Sequence, residues 1–118
     1  MDLNVNECKH DPEINIISMS GRLDVETSER ISPEVLLSIE QCSAGVILDM
    51  ADVVFVSSAG LRVLLNTYKK AIAADKKIAM IQPQPQVYKI FKVAAFDTMF
   101  NICKNEKEAL NLFAGSVK

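Results

Sequence analysis

One stretch, Asp49 to Leu65, constrains the fold most because it leaves a buried strand and enters an amphipathic helix. Residues Val46–Leu48 form a short continuous apolar run, which is typical of a buried strand, here Gly45 to Met50. Further on, apolar side chains recur at helical spacing and predict one buried helix face, made of Leu61, Leu64, Leu65, Tyr68 and Ile72. The stretch therefore predicts a strand, a connection and a helix that packs back onto the strand.

Two adjacent serines, Ser57 and Ser58, stand where this helix must begin. A serine oxygen in that position can accept a backbone N–H that the first helical turn leaves unpaired. Ala59 and Gly60 follow with little or no side chain, so another molecule could reach the two hydroxyl groups. The residues alone leave two roles open for Ser58, a helix cap or a reactive or modifiable hydroxyl.

Strands and helices alternate along the rest of the chain, which predicts an α/β sheet with helices on at least one face. The further predicted strands are Leu3–Cys8 (an edge strand), Ile14–Met19, Ile78–Ile81 and Met99–Cys103.

The predicted helices begin with one at Ser32-Pro33-Glu34, where a capping serine, a first-turn proline and an acid coincide. That helix is expected to end near Cys42, and the pattern of Val25 to Ile31 before it is irregular. Two later helices are expected around Val87–Ala94 and from Asn105 to Gly115, the last one burying Ala109, Leu110, Leu112 and Phe113.

Length and charge limit the classes of protein. The 118 residues, 49% of them hydrophobic, can bury one core and are expected to form a single domain, 1–118. A net charge of −2 gives no electrostatic support for binding nucleic acid. The start, Met1–Asn4, lacks a signal-peptide pattern, and no apolar run approaches the roughly 18 residues of a membrane span. We expect a cytoplasmic protein without direct membrane insertion.

Cysteine and histidine give no support for a metal site or a cofactor. The three cysteines, Cys8, Cys42 and Cys103, are widely spaced and form neither a disulfide framework nor a CxxC motif. We expect Cys42 and Cys103 to be buried. His10 is the only histidine, in a predicted turn from Lys9 to Pro12, and one histidine cannot build a usual zinc site.

Catalysis is not indicated either. Asp24 and Asp49 could act as paired carboxylates, but each also follows or ends a predicted strand, where an aspartate can cap or turn the chain. No base or glycine-rich phosphate loop accompanies the serines, and Ser-Ala-Gly is not the Gly-x-Ser-x-Gly elbow of hydrolases. We therefore predict that the protein is not an enzyme.

Three segments together resemble the STAS domain, and in particular bacterial anti-sigma factor antagonists: Gly21-Arg22-Leu23-Asp24, Leu48-Asp49-Met50, and Phe55 to Leu65. The resemblance covers almost the whole chain. It implies a single STAS-like α/β domain, a small mixed β-sheet packed against about four helices.

The resemblance also implies a partner switch. In such proteins a serine or threonine at the central helix start is phosphorylated by an ATP-binding anti-sigma factor, which is a serine kinase. The unmodified form binds that kinase and so releases a sigma factor, and a phosphatase resets the modified form. The acceptor position falls on Ser58. The family commonly has Asp just before it, where this chain has Ser57, the alternative acceptor. The implied partner surface comprises Asp24, Ser57, Ser58, Ala59, Gly60, Leu61 and Arg62.

Other functions remain open from the sequence. A STAS subunit of an ABC-type lipid transporter, or of another signalling complex, would bind a partner without phosphorylation. An enzyme with Ser58 as nucleophile is disfavoured because the sequence offers no base for it. A homodimer also remains an open alternative.

Overall fold

One five-stranded sheet organises the computed structural model, which describes residues 2–8 and 11–115. Its strands are β1 Asp2–Cys8, β2 Asp11–Leu23, β3 Gly45–Val56, β4 Lys77–Ile81 and β5 Asn101–Cys103. The helices in this part of the chain are α1 Val25–Gln41, α2 Ser58–Ala73, α3 Pro85–Val93, α4 Phe96–Met99 and α5 Glu106–Gly115.

The strand order in the sheet, β1-β2-β3-β4-β5, follows the sequence. β1 pairs antiparallel with β2, and all later neighbours are parallel, so the sheet is mixed. Each parallel pair needs a crossover connection, and α1, α2 and the α3–α4 segment provide them. The predicted α/β class, the mixed sheet and the edge position of β1 are confirmed.

Helices cover both faces of the sheet. Alternate residues of β3 point to opposite sides, so Val46 and Leu48 join the larger core with α1 to α4, whereas Ile47 joins a smaller core under α5. In the smaller core Ile47 packs with Ala109 and Phe113 of α5. The helices described number five rather than the expected four, because a single turn, α4, forms at Phe96–Met99, where no helix was predicted. The strand predicted at Met99–Cys103 is correspondingly shorter and begins at Asn101.

The predicted start of α1 is wrong. The helix begins at Val25, seven residues before Ser32, and Pro33 lies inside it. Asp24 is the N-cap: its carboxylate accepts the N–H of Thr27, and the Thr27 hydroxyl accepts the N–H of Asp24. This capping box fixes the start although threonine replaces the usual Glu or Gln. The proline is exposed and is tolerated within the helix.

The two long strands, β2 and β3, extend beyond their predicted ends. β3 continues past Asp49 and Met50 to Val56. The segment Gly21–Leu23 belongs to β2 rather than closing it, and Gly21 has a positive φ of 96° beside a shift in register with β3. Glycine tolerates that backbone conformation at an irregularity of this kind. The extension brings the carboxyl ends of β2 and β3 together at Leu23 and Val56.

The buried face of α2 differs in part from the predicted one. Leu64 is buried and Leu61, Leu65 and Tyr68 are partly buried against the larger core, but Ile72 is 54% exposed. Buried positions are instead filled by Thr67 and Ala71. In α5, Leu112 is likewise 43% exposed, contrary to expectation.

Cys42 and Cys103 are buried, as predicted, and burial raises the pKa of both thiols. A raised pKa keeps a thiol protonated at neutral pH and therefore unreactive. Lys9 and His10, in the predicted turn, lie outside the described residues. Among the described helices, none has the length and apolar character needed to cross a membrane.

Candidate functional site

The starts of α1 and α2 lie side by side at one end of the sheet. Leu23 and Val56, the last residues of β2 and β3, are paired in the parallel ladder. Beyond them, the N–H of Ser57 donates to the carbonyl of Leu23 at 2.8 Å. Asp24 and Ser57, the caps of the two helices, are therefore held next to the same backbone group.

The two serines have different positions at the start of α2. Ser57 is the N-cap, and its Oγ accepts the N–H of Gly60 at 3.2 Å. Ser58 is the first residue of the helix and is exposed, while Ser57 is half-buried. The capping role that the sequence left open for Ser58 thus belongs to Ser57. Aspartate and serine are both favoured caps, so the serine at position 57 can cap this end of the helix as an aspartate would.

Gly60 lies beneath the surface rather than on it. A Cβ at this position would be 2.6 Å from the carbonyl oxygen of Leu23 and 2.8 Å from its Cγ. It would also be 3.0 Å from Val56 Cγ1. The glycine therefore lets α2 begin directly against the ends of β2 and β3, and it positions Ser58 without being available for contact itself.

Asp24 has a structural role at this site. Hydrogen bonds from the backbone and side chain of Thr27 lower the pKa of its carboxyl, so the group is ionised at neutral pH. Asp49 lies far from it, inside β3 and seven residues before Val56, a separation of roughly 20 Å along the strand. Its carboxylate accepts the N–H of Ala51. The two carboxylates are therefore not paired.

A groove runs between α1 and α2 and reaches Ser58. Its volume is about 720 Å³. We call it the α1–α2 groove, and its lining consists of Val25, Ser28, Glu29, Ser32, Pro33 and Leu36 from α1 with Ser58, Ala59, Arg62 and Val63 from α2. Arg62 is exposed and follows Ser58 by four residues, so both side chains lie on the same face of the helix.

A second surface adjoins Leu61 on the other side of α2. It is a shallow apolar depression between α2 and α3, which we call the α2–α3 patch, and it is lined by Leu61, Lys89, Ile90, Val93 and Ala94. Val93 is 91% exposed, the largest exposure among the large apolar side chains that the structure describes. Sequence reasoning did not assign the α3 residues to a site. The available signal was that Val93 is apolar but lies off the helical stripe of Val87, Ile90, Phe91 and Ala94.

The structure thus brings most of the predicted surface together. The adjoining ends of α1 and α2 carry Asp24, Ser57, Ser58, Ala59, Leu61 and Arg62, and Gly60 is buried beneath them. Across residues 2–8 and 11–115, no group of three His, Cys, Asp or Glu side chains is arranged to hold a metal ion.

Several proteins of known sequence or structure are similar to this chain. An anti-sigma F factor antagonist of Paenibacillus polymyxa is 28% identical over 106 residues, covering 88% of this chain and 90% of that protein. The anti-sigma factor antagonist SpoIIAA in its unphosphorylated form superposes with a TM-score of 0.79, at 21% identity and 97% coverage of both chains. The phosphorylated form of SpoIIAA from Bacillus gives a TM-score of 0.70, at 20% identity, covering 93% of this chain and 97% of that one.

The fold also occurs inside a much larger protein. The murine anion transporter Slc26a9 superposes with a TM-score of 0.76 at 18% identity, covering 87% of this chain but 18% of the transporter. This likeness therefore concerns the fold of one domain. The sequence pattern of the STAS domain matches residues 7–109, which is most of the chain. With the five-stranded mixed sheet and the adjoining starts of α1 and α2, that match shows that the chain belongs to the STAS domain family.

Proposed function

We propose that this protein is an anti-sigma factor antagonist, a regulatory binding protein whose partner is an ATP-binding anti-sigma factor with serine kinase activity. The kinase phosphorylates Ser58, with Ser57 as the alternative acceptor, and the modification releases the partner. A phosphatase then restores the binding form. The similarity to named anti-sigma factor antagonists along nearly the whole chain supports this class of function.

The observation that carries the proposal is the separation of Ser58 from the capping role. Ser57 Oγ accepts the Gly60 N–H, whereas Ser58 is exposed at the first position of α2. A kinase can reach such a hydroxyl without opening the helix. Because the half-buried Ser57 is engaged in the cap, Ser58 is the better acceptor of the two.

A phosphate on Ser58 is compatible with the fold. It adds roughly −1.5 to −2 charge at neutral pH. The first-turn N–H groups and the dipole of α2 favour an anion at this end by about 0.3–1 kcal/mol. Arg62, one turn along the same face, can form a charge-assisted hydrogen bond with the phosphate. The domain would remain folded while the charge of its exposed face changes.

The same phosphate would oppose binding of the partner. The unmodified surface offers Arg62 next to Leu61, which continues into the α2–α3 patch with Ile90 and Val93. Such a surface suits a partner with apolar side chains and acidic groups at their edge. After phosphorylation, an acidic partner group would face a dianion, and Arg62 would be engaged within the chain. Repulsion and desolvation then weaken the complex.

Phosphorylation in vitro tests the proposal directly. The purified chain is incubated with ATP and the anti-sigma factor captured from its source, and the modified peptide is identified by mass spectrometry. We expect one phosphate on Ser58, tight partner binding by Ser58→Ala, and weak binding by Ser58→Asp. A carboxylate carries less charge than phosphate, so the kinase reaction is the stronger test. Phosphate on Ser57 would move the acceptor by one residue, and no phosphate on either serine would exclude the switch.

A pair of charge reversals on α2 tests the binding surface separately. Arg62→Glu should weaken capture of the anti-sigma factor, whereas Lys69→Glu should not, because Lys69 is exposed on the same helix but lines neither the α1–α2 groove nor the α2–α3 patch. Both variants should keep nearly the original thermal midpoint, since exposed helix charges contribute little to stability. Equal binding by the two variants would contradict the assigned surface.

A further inference from the structure

The α1–α2 groove has the volume of a small-molecule site. Its volume of about 720 Å³ lies within the roughly 300–1,000 Å³ typical of ligand pockets. Much of its wall is apolar, with Val25, Pro33 and Leu36 on α1 and Val63 on α2. Polar groups from both helices also line it, so it combines an apolar surface with a small set of directional contacts.

One buried hydroxyl lining the groove has no partner. Ser28 is only 2% exposed, and no described residue forms a hydrogen bond with its Oγ. A serine inside a helix commonly donates to the carbonyl four residues earlier, and nearly all buried polar atoms are paired. The other buried serine of α1, Ser38, does have a partner, because its Oγ accepts a hydrogen bond from the Asn15 side chain at 3.2 Å. The unpaired Oγ of Ser28 leaves one buried hydrogen-bond donor in the wall of the groove, which a ligand atom would satisfy.

The remaining polar groups of the groove select the charge of such a ligand. On the α2 side, the N–H groups of Ser58 and Ala59 have no acceptor within the helix because they belong to its first turn. Arg62 adds a guanidinium to the same wall. These donors favour an anionic group rich in acceptor oxygens. The opposing charge is Glu29 on α1, which repels an anion and so directs it toward α2.

We propose that the α1–α2 groove binds a small soluble amphiphile with one anionic headgroup. The headgroup oxygens accept hydrogen bonds from Ser28 Oγ, from the first turn of α2 and from Arg62. The apolar part lies against Val25, Leu36 and Val63. The site belongs to the isolated domain and requires no protein partner, so its test is independent of the proposed phosphorylation.

Three eight-carbon compounds that share one apolar part test the headgroup. Octanoate, octanol and octylamine are titrated, each below its aggregation limit, into the full chain labelled with ¹⁵N, and amide shifts are followed by NMR. We expect octanoate to bind most tightly and to shift the amides of Ser28, Ser58 and Ala59. The proposal would be overturned if octanol bound as tightly as octanoate or if octylamine bound more tightly. It would also be overturned if the amide shifts were confined to other surfaces, or if binding did not saturate. Binding to anionic lipid vesicles without binding to monomeric octanoate would overturn it too.

Matched variants assign the contacts. Arg62→Gln should weaken octanoate binding about tenfold, the effect of losing one charge-assisted hydrogen bond, while Lys69→Gln on the same helix should bind as the original chain does. Glu29→Gln should strengthen octanoate binding, because the repelling charge is removed. Ser28→Ala should weaken it without lowering the thermal midpoint. If Arg62→Gln and Lys69→Gln bind octanoate equally, the headgroup does not lie at α2 and the proposal is wrong.

Discussion

The Oγ of Ser57 accepts the backbone N–H of Gly60 at 3.2 Å, and this bond gives the two adjacent serines different tasks. Ser57 holds the start of α2 in place. Ser58, which is exposed, is available for modification or contact. A regulatory hydroxyl beside a separate cap can change its chemical state without a change in fold.

The two serines should therefore differ in their effect on stability. Ser57→Ala removes a capping oxygen and is expected to lower the free energy of unfolding by about 0.5–2 kcal/mol. Ser58→Ala removes an exposed hydroxyl and should change it by less than about 0.5 kcal/mol. Urea denaturation of the two variants beside the original chain measures both values. A larger loss from Ser58→Ala than from Ser57→Ala would show that Ser58 is the effective cap.

A second prediction concerns the close approach of α2 to the sheet. Gly60→Ala places a methyl group where the carbonyl oxygen of Leu23 is only 2.6 Å away, and that backbone atom cannot easily move. Overpacking of this kind costs about 1–3 kcal/mol. Asn66→Ala, at an exposed position of the same helix, is the control and should have little effect. A thermal midpoint for Gly60→Ala equal to that of Asn66→Ala would contradict the described packing.

Strands and helices were predicted correctly where the apolar pattern that defines them lies within one continuous segment of the sequence. The apolar run at Val46–Leu48 and the periodicity after Ser58 located β3 and α2. The start of α1 was wrong because Ser32-Pro33-Glu34 is a strong local signal, while the actual cap is the reciprocal bonding of Asp24 with Thr27. A threonine in that position is a weaker sequence signature than Glu or Gln.

The buried face of α2 shows why the positions of apolar residues alone do not identify which side of a helix is buried. Leu64, Thr67 and Ala71 follow the spacing of one helix face and are buried. Thr67 was not predicted to be buried because it is polar, yet its hydroxyl donates to the carbonyl of Val63 at 2.8 Å and is satisfied within the helix. Ile72 lies one residue beyond Ala71, about 100° around the helix, and is exposed.

The candidate site was predictable in its α2 part and at Asp24, the cap of α1. The proposed acceptor Ser58, Arg62 and their neighbours lie within one short segment, so the resemblance could locate them. The wall supplied by α1, including Ser28 and Leu36, depends on how two helices far apart in sequence pack together. The same holds for Val93, which lines the same depression as Leu61 only because the fold places α3 beside α2. These contacts arise from the topology of the sheet rather than from a local pattern.

Core packing on α2 gives a third prediction. Leu64 is 1% exposed, and Leu64→Ala should lower the free energy of unfolding by about 2–5 kcal/mol. Leu65 is only partly buried, so Leu65→Ala should cost less. Ile72→Ala, at a position 54% exposed, should cost least of the three. Guanidinium denaturation of the three variants checks the ranking, and a loss for Ile72→Ala as large as that for Leu64→Ala would contradict the orientation of α2.

The cap of α1 should make stability depend on pH. Hydrogen bonds from Thr27 lower the pKa of Asp24 below its ordinary value of 3.8 in the folded chain. The stabilisation is therefore complete above pH 3.8 and is lost as the pH falls further through the folded pKa. Asp24→Asn keeps a capping oxygen but cannot titrate, so its stability relative to the original chain should rise as the pH drops below that value. Urea denaturation midpoints of the two chains, measured from pH 7 to pH 2, give the difference in stability. Lys70 lowers the pKa of Glu40, but this effect is the same in both chains and cancels in the comparison. Parallel curves for the two chains over the whole range would show that the carboxylate of Asp24 does not stabilise the start of α1.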